Sequence, residues 1–123
     1  MVKVKLIKSP KSEKKFRVVF EDDGAIVDFG ARGYSDYTKH KNPLRMRSYV
    51  KRHGGKLSTQ LKNERDPKVV QQKMLEITKS YKEDWSKKGV KTAGFWSRWL
   101  LWSFPTLREA KNFMRKKFRL HIV

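Results

Sequence analysis

Within the ten residues from Phe95 to Phe104 the chain places three of its four tryptophans and two of its seven phenylalanines. No other stretch carries comparable apolar mass. Burying one such ring removes roughly 150–250 Å² from water, at about 25 cal/mol per Å², so this segment outweighs any other single element of the sequence. Read as a helix, it starts at Thr92, a residue type that caps helix N-termini, and ends before Pro105, because the residue preceding a proline is pushed out of the α region. Phe95, Trp99 and Trp102 share one face while Trp96 and Leu100 fall on another. A helix apolar nearly all round is buried on several sides, and the rest of the chain is expected to wrap it, with Arg98 projecting at its edge.

The remainder of the sequence has the opposite character. Across 123 residues, 31 Lys and Arg stand against 12 Asp and Glu, a net charge of +19, spread along the chain rather than gathered in a tail. Self-repulsion on that scale opposes compaction and calls for an anionic partner: nucleic acid, an anionic membrane surface or an acidic protein. The length suits one domain, 1–123, with one core. The absence of cysteine excludes disulfides, thiolate metal sites and a cysteine nucleophile. The N-terminus alternates lysine with apolar residues and has no apolar run of signal-peptide length, and no stretch approaches a membrane span.

The periodicities predict an α+β fold, a small antiparallel sheet packed by three to four helices around the tryptophan segment. Val2, Val4 and Leu6 alternate with lysines as in a half-exposed strand. Phe16 to Phe20 and Ala25 to Phe29 form a hairpin through Asp23-Gly24, a strong turn signal, with Phe16, Val18 and Phe20 facing the tryptophans. Gly30 and Gly33 turn the chain, either as a plain corner or as a phosphate cradle ahead of a helical turn opened by Ser35 and Asp36. Leu44 to His53 reads as an amphipathic helix with Met46, Tyr49, Val50 and His53 inward, Arg45, Arg47, Lys51 and Arg52 outward, and Gly54-Gly55 as its stop. Lys56 to Arg65 is ambiguous. Asp66-Pro67 caps a helix expected to run to about Asp84 on the spacing of Val70, Met74, Ile77 and Tyr81. Thr106 and Glu109 form a capping box for a last helix that buries Leu107, Ala110, Met114 and Phe118, with Lys111, Arg115, Lys116 and Lys117 outside. Leu120 to Val123 adds a short strand.

No catalytic set emerges. The three histidines, His40, His53 and His121, lack paired metal-ligand spacing, and no metal or cofactor is expected. Ser35, Asp36 and His40 can be arranged on paper as a hydrolase trio, and Glu21, Asp22, Asp23 and Asp28 as a two-metal centre, but the acidic residues gather at a hairpin tip where solvated turn carboxylates are the rule. The tryptophans offer rings for base stacking, yet their helical spacing with Leu100 and Leu101 marks them as core.

Three stretches carry a resemblance: Phe29-Gly-Ala-Arg-Gly-Tyr-Ser-Asp-Tyr-Thr-Lys-His-Lys-Asn-Pro43, then Tyr49 with Arg52-His53, then Trp85 and Thr92-Ala-Gly-Phe-Trp-Ser-Arg-Trp-Leu-Leu-Trp102 with Pro105-Thr-Leu107. Over roughly Lys15 to Phe118 the chain resembles a family of small basic proteins of giant nucleocytoplasmic DNA viruses of algae and amoebae. The resemblance implies no enzymatic activity and no small-molecule substrate. It implies a short basic link between the Arg-His element and the tryptophan segment, so Lys56 to Asp84 reads as an insertion bearing an extra helix. It also implies a place in the virion, after assembly in the host cytoplasm. There the protein is expected as a minor capsid component beneath the shell, touching capsid proteins or the internal membrane, with genome binding as the alternative. The residues expected to make those contacts are Arg32, Arg45, Arg47, Lys51, Arg52, Arg98, Lys111, Arg115, Lys116 and Lys117.

Overall fold

The computed structural model describes residues 1–123. Four strands, β1 (Val2–Lys8), β2 (Lys14–Phe20), β3 (Ile26–Ala31) and β4 (Leu120–Ile122), form one sheet in the order β3-β2-β1-β4. The first three are antiparallel, and β4 joins β1 in parallel, Val2 opposite Leu120. The fold is α+β, and the C-terminal strand makes the sheet mixed rather than purely antiparallel. The β2–β3 hairpin turns at Gly24, whose φ of 71° lies in the left-handed region, where glycine carries no Cβ penalty.

Six α-helices cover one face: α1 (Tyr37–His40), α2 (Pro43–Arg52), α3 (Thr59–Asn63), α4 (Pro67–Met74), α5 (Ala93–Trp96) and α6 (Leu107–Phe118). Their starts follow local chemistry. Asp36, Asn42, Ser58, Asp66, Thr92 and Thr106 each accept a hydrogen bond from a backbone N–H of the turn they cap, satisfying donors that a helix leaves free at its N-terminus. Thr106 Oγ1 also donates to Glu109 Oε1 at 2.8 Å, so only the threonine half of the expected box forms, with the Glu109 carboxylate on the hydroxyl instead of the Thr106 backbone N–H.

The tryptophan segment is the centre of the molecule. Past α5 it continues as a π-helical turn, Ser97–Leu101, and Phe95, Trp96, Trp99, Leu100 and Leu101 are all buried. Trp96 packs against Phe20 and Phe29 of the sheet, and Trp99 against Phe113 and Phe118 of α6. Buried indole N–H groups require acceptors: Trp96 donates to the Val90 carbonyl at 2.6 Å, Trp99 to that of Trp85 at 2.9 Å, and Trp85 to Glu83 Oε1 at 2.8 Å. Trp102 is only half-buried, because the helical run ends at Leu101 and its ring leaves the stripe it was expected to share.

Two expectations about this region are corrected. Arg98 does not project at an edge; it is fully buried. Its guanidinium lies 4.4 Å from the ring centre of Trp99 and 5.3 Å from that of Trp85, donating to the carbonyls of Trp102 at 2.9 Å, Met74 at 2.6 Å and Ile77 at 3.4 Å. The helix from Pro67 stops at Met74 instead of running to Asp84. Arg98 binds the carbonyl of Met74 at the negative end of α4, where a cation is favoured, and that of Ile77 three residues on. Beyond this point the chain leaves the helical path and Tyr81 is 82% exposed. The 56–84 segment nonetheless shares the core: Leu57, Leu61, Val70 and Met74 belong to the same buried cluster as the tryptophans.

Candidate functional site

The C-terminal end of α2 is where the segments quoted for the resemblance meet. Gly54, with φ 92°, turns the chain, and a narrow bridge pairs Gly55 with Ser80. Tyr81 N donates to the Gly54 carbonyl at 3.2 Å, Ser80 Oγ to that of His53 at 2.6 Å and Lys82 Nζ to that of Arg52 at 3.0 Å. Residues 80–82 therefore take up the carbonyls of Arg52, His53 and Gly54 at the end of α2, and the two segments form one corner.

A cleft of about 480 Å³ opens on one side of this corner, with Lys14, Tyr34, Arg45, Tyr49, Arg52 and Trp102 in its wall. One wall is a stack of rings, His53 on Tyr49 at 4.0 Å between centres and Tyr49 on Trp102 at 4.4 Å and nearly parallel, and His40, which does not line the cleft, packs against Trp102 at 5.3 Å. Burial, and to a lesser degree Glu83, raise the Tyr49 hydroxyl far above its ordinary pKa, so it stays a neutral donor. Burial, with Arg45 close by, lowers the pKa of His40, whose Nδ1 accepts from Asn42 N at 2.9 Å.

Both carboxylates that line the cleft are already engaged. Asp36 receives Lys15 Nζ at 2.6 Å and Thr38 N at 2.9 Å; Glu83 meets His53 Nδ1 at 3.0 Å as well as the Trp85 indole. Arg45 and Arg52 are exposed and pair with no carboxylate. The hydrolase trio is not assembled, since Asp36 serves Lys15 and Thr38 while His40 turns Nδ1 to Asn42. The acidic cluster is divided too: Asp23 pairs with Lys91, and Asp28 with Arg17 and Lys11. Gly30 and Gly33, at φ 80° and 91°, make the corner between β3 and α1. A Cβ on Gly30 would stand 3.0 Å from Leu101 Cδ1, which accounts for that glycine by packing.

On the other side of the same corner lies a second hollow of about 670 Å³ with Lys51, Lys56, Lys62, Lys79 and Tyr81 around it and no acidic residue. Of the expected contact residues, Arg45 and Arg52 line the cleft and Lys51 the hollow. Arg32 is exposed but donates to the Ser9 carbonyl at 3.0 Å. Arg47 is half-buried, its guanidinium held by the carbonyls of Leu61 at 2.9 Å and Glu64 at 2.5 Å, so its role is to dock α3 rather than to meet a partner. Arg98 is internal. Lys111 and Arg115 line a separate groove of about 310 Å³ between α6 and β4 with Arg108 and His121, and Lys116 and Lys117 lie exposed on the same helix. Lys14, Lys56, Lys62, Lys79 and the two tyrosines also stand in the walls of the cleft and the hollow, outside the expected contact set. Tyr81 was assigned inward by its helical spacing; the glycine-flanked turn before Tyr34 was the available signal for an exposed ring.

Residues 4–53 match the model of a family described as a family of unknown function, DUF5754. The matched stretch carries the antiparallel part of the sheet, the Gly30–Gly33 corner, α1 and α2, and stops at His53, where the 56–84 segment is about to begin. The tryptophan segment lies outside it. No curated protein and no solved structure matches the chain.

Proposed function

We propose that the protein is a non-enzymatic binder of polyanions that serves as a minor structural component of a large DNA virus particle, bridging acidic or anionic surfaces beneath the shell. One observation carries the binding part. Only five of the 31 Lys and Arg side chains, Lys11, Lys15, Arg17, Lys73 and Lys91, lie within 4.0 Å of a carboxylate. Cations left facing water in such number repel one another, and a partner of opposite charge relieves that repulsion. The resemblance to basic proteins of giant DNA viruses supports the place in the particle. Nucleic acid is the second reading, favoured by the aromatic rings beside the cations at the α2 corner.

The test is anisotropy of the full chain with a labelled DNA duplex, a heparin fragment and anionic vesicles over a series of salt concentrations. Binding should weaken steeply, with a log–log slope on duplex DNA of about −0.9 per phosphate neutralised. Failure to bind any of them near 100 mM salt, a concentration at which charge-driven contacts still hold, would remove the proposal. Quantification of the chain in purified, washed particles tests the location independently, and its absence there would leave only the binding activity.

A further inference from the structure

Fifteen side chains of the protein are aromatic, and just two of them, Tyr34 at 75% and Tyr81 at 82%, are exposed. They lie in hollows that adjoin through the Arg52–Gly55 turn, whose first two residues line one and last two the other. Tyr34 borders the cleft on one side of the α2 corner and Tyr81 the hollow on the other, while the Arg52–Gly55 turn and the 80–83 segment form the ridge between them. Neither ring contributes to the core, and exposing a ring of that size has no benefit to folding. Between and beside them stand Arg45, Arg52, Lys51, Lys56, Lys62 and Lys79, none paired with a carboxylate.

Resting on the polyanion-binding reading above, we propose that this corner is a seat for single-stranded nucleic acid, its cations meeting successive phosphates and the faces of Tyr34 and Tyr81 stacking on unpaired bases. The combination of a basic track with exposed rings is what unpaired strands require, because every base has a π-face and the backbone supplies charge at regular spacing. A duplex, with its bases stacked inside, uses the cations but not the rings. An acidic protein or an anionic lipid surface meets the cations but does not repeat a planar face beside each charge, as an unpaired strand does. Tyr81 is also preorganised. Its N–H is held on Gly54, and Lys82 Nζ, anchored on the Arg52 carbonyl, sits 5.6 Å from its ring centre. One base on that ring would therefore meet a fixed platform with a cation at its side. Tyr34 follows the Gly33 turn, its N–H donating to the Ala31 carbonyl at 3.3 Å, so the backbone beneath this ring is tied down as well.

The test uses the full chain and a labelled oligothymidylate, with a duplex and a heparin fragment as charge-only controls. Tyr34→Ala and Tyr81→Ala should each weaken oligothymidylate binding about fivefold or more, the loss of one stacked base, at unchanged salt slope and with duplex and heparin binding unaltered. Tyr34→Phe and Tyr81→Phe, which keep the ring, should restore wild-type affinity. Lys56→Gln with Lys79→Gln should instead make the oligothymidylate slope shallower by about 1.4, two single-strand phosphate contacts. Because the substituted tyrosines are exposed, thermal unfolding should not change, and a lowered midpoint would show a structural role and overturn the assignment. Oligothymidylate binding that ignores the alanine variants, or a loss shared equally by the duplex, would overturn the single-strand seat while leaving polyanion binding intact. Failure of all three probes to bind would overturn both.

Discussion

Around Trp99 and around Tyr81 the molecule uses the same pair of groups, an aromatic ring with a cation over it, and obtains opposite results. Arg98 lies between Trp99 and Trp85 with no access to water. Burial lowers its pKa to about 10, which leaves it charged at neutral pH, and three carbonyls take the place of a counter-ion. Lys82 lies over a ring that is 82% exposed, with unpaired lysines beside it. In the first region each outward property of the pair is consumed: the charge ties α4 to the tryptophan segment and the rings fill the core. In the second, Lys82 is held on the Arg52 carbonyl, but the ring stays in water and the lysines beside it pair with no carboxylate. Burial, not residue type, separates a cation that holds the fold from one that can hold a partner.

The most severe way to test that contrast is to empty the interior pair. Arg98→Ala should destabilise the protein by about 3–5 kcal/mol, combining a cavity between two indoles with carbonyls left unpaired, read as a lower urea midpoint. Arg98→Met keeps most of the volume and loses the donors, so about 1–3 kcal/mol is expected. A methionine variant as stable as wild type would break the comparison, because buried charges can be replaced by apolar groups without loss when their partners do not depend on them. Next in size is Gly54→Ala. Its φ of 92° is strained for any Cβ, and the added atom would stand 2.5 Å from Ser80 Oγ. About 1–3 kcal/mol is expected, and nucleic-acid affinity should fall with it, since Gly54 shapes the ridge that carries Tyr81.

What could be read from the sequence divides along the same line. The caps at Asp66, Thr92 and Thr106, the β2–β3 hairpin and the inward faces of α2 and α6 were legible because each is decided within a few residues, by a side-chain acceptor or by the period of the apolar positions. The depth of the tryptophan segment was legible from its mass alone. The fate of Arg98 was not, because a polar residue in an apolar run is an edge residue unless something distant supplies acceptors, and the acceptors here come from Met74 and Ile77, more than twenty residues away. Tyr81 departs from its spacing in the same region: Val70, Met74, Ile77 and Tyr81 continue a helix on paper, but α4 ends at Met74, where Arg98 binds the last carbonyl. At the candidate site, Arg45, Lys51 and Arg52 followed from the face opposite Met46 and Val50. Lys56 and Lys62 lay in a stretch without period and Lys79 on a helix expected to run past it that ends at Met74, and the Gly55–Ser80 bridge is what brings the two stretches together.

Two arginines on one helix sharpen the comparison at smaller scale. Arg47 and Arg45 were both expected to meet a partner, yet Arg47 spans to the end of α3 while Arg45 stands at the cleft. Arg47→Ala should lower stability by about 1–2 kcal/mol through the lost charged donor to two carbonyls. Arg45→Ala should leave the urea midpoint within about 0.5 kcal/mol of wild type and make the salt slope of DNA binding shallower by about 0.7–0.9. The reverse pattern would mean that the exposure of the two side chains does not separate their roles.

The smallest effect concerns the sheet, where charge is neutralised rather than offered. Asp28 of β3 stands opposite Arg17 of β2 and receives Nε at 2.9 Å and Nη2 at 3.1 Å, with Ser9 Oγ at 2.7 Å. The Arg17 hydrogen bonds first, and then Ser9, hold its pKa at about 2 instead of the ordinary 3.8. A carboxyl whose folded pKa is depressed contributes stability that is complete above its unfolded pKa and is lost as pH falls through the folded one. The Asp28 contribution should therefore persist at neutral pH and fade between 3.8 and about 2. Asp23 and Asp84, lowered by Lys91 and Ser86 respectively, add acid sensitivity of their own. Asp28→Asn should accordingly flatten the acid limb of a urea-midpoint titration without abolishing it, the remaining slope belonging to the other two. Parallel limbs for variant and wild type would mean that Arg17 is as free in the native state as Arg45 and Arg52, and that the sheet, too, carries cations open to a partner.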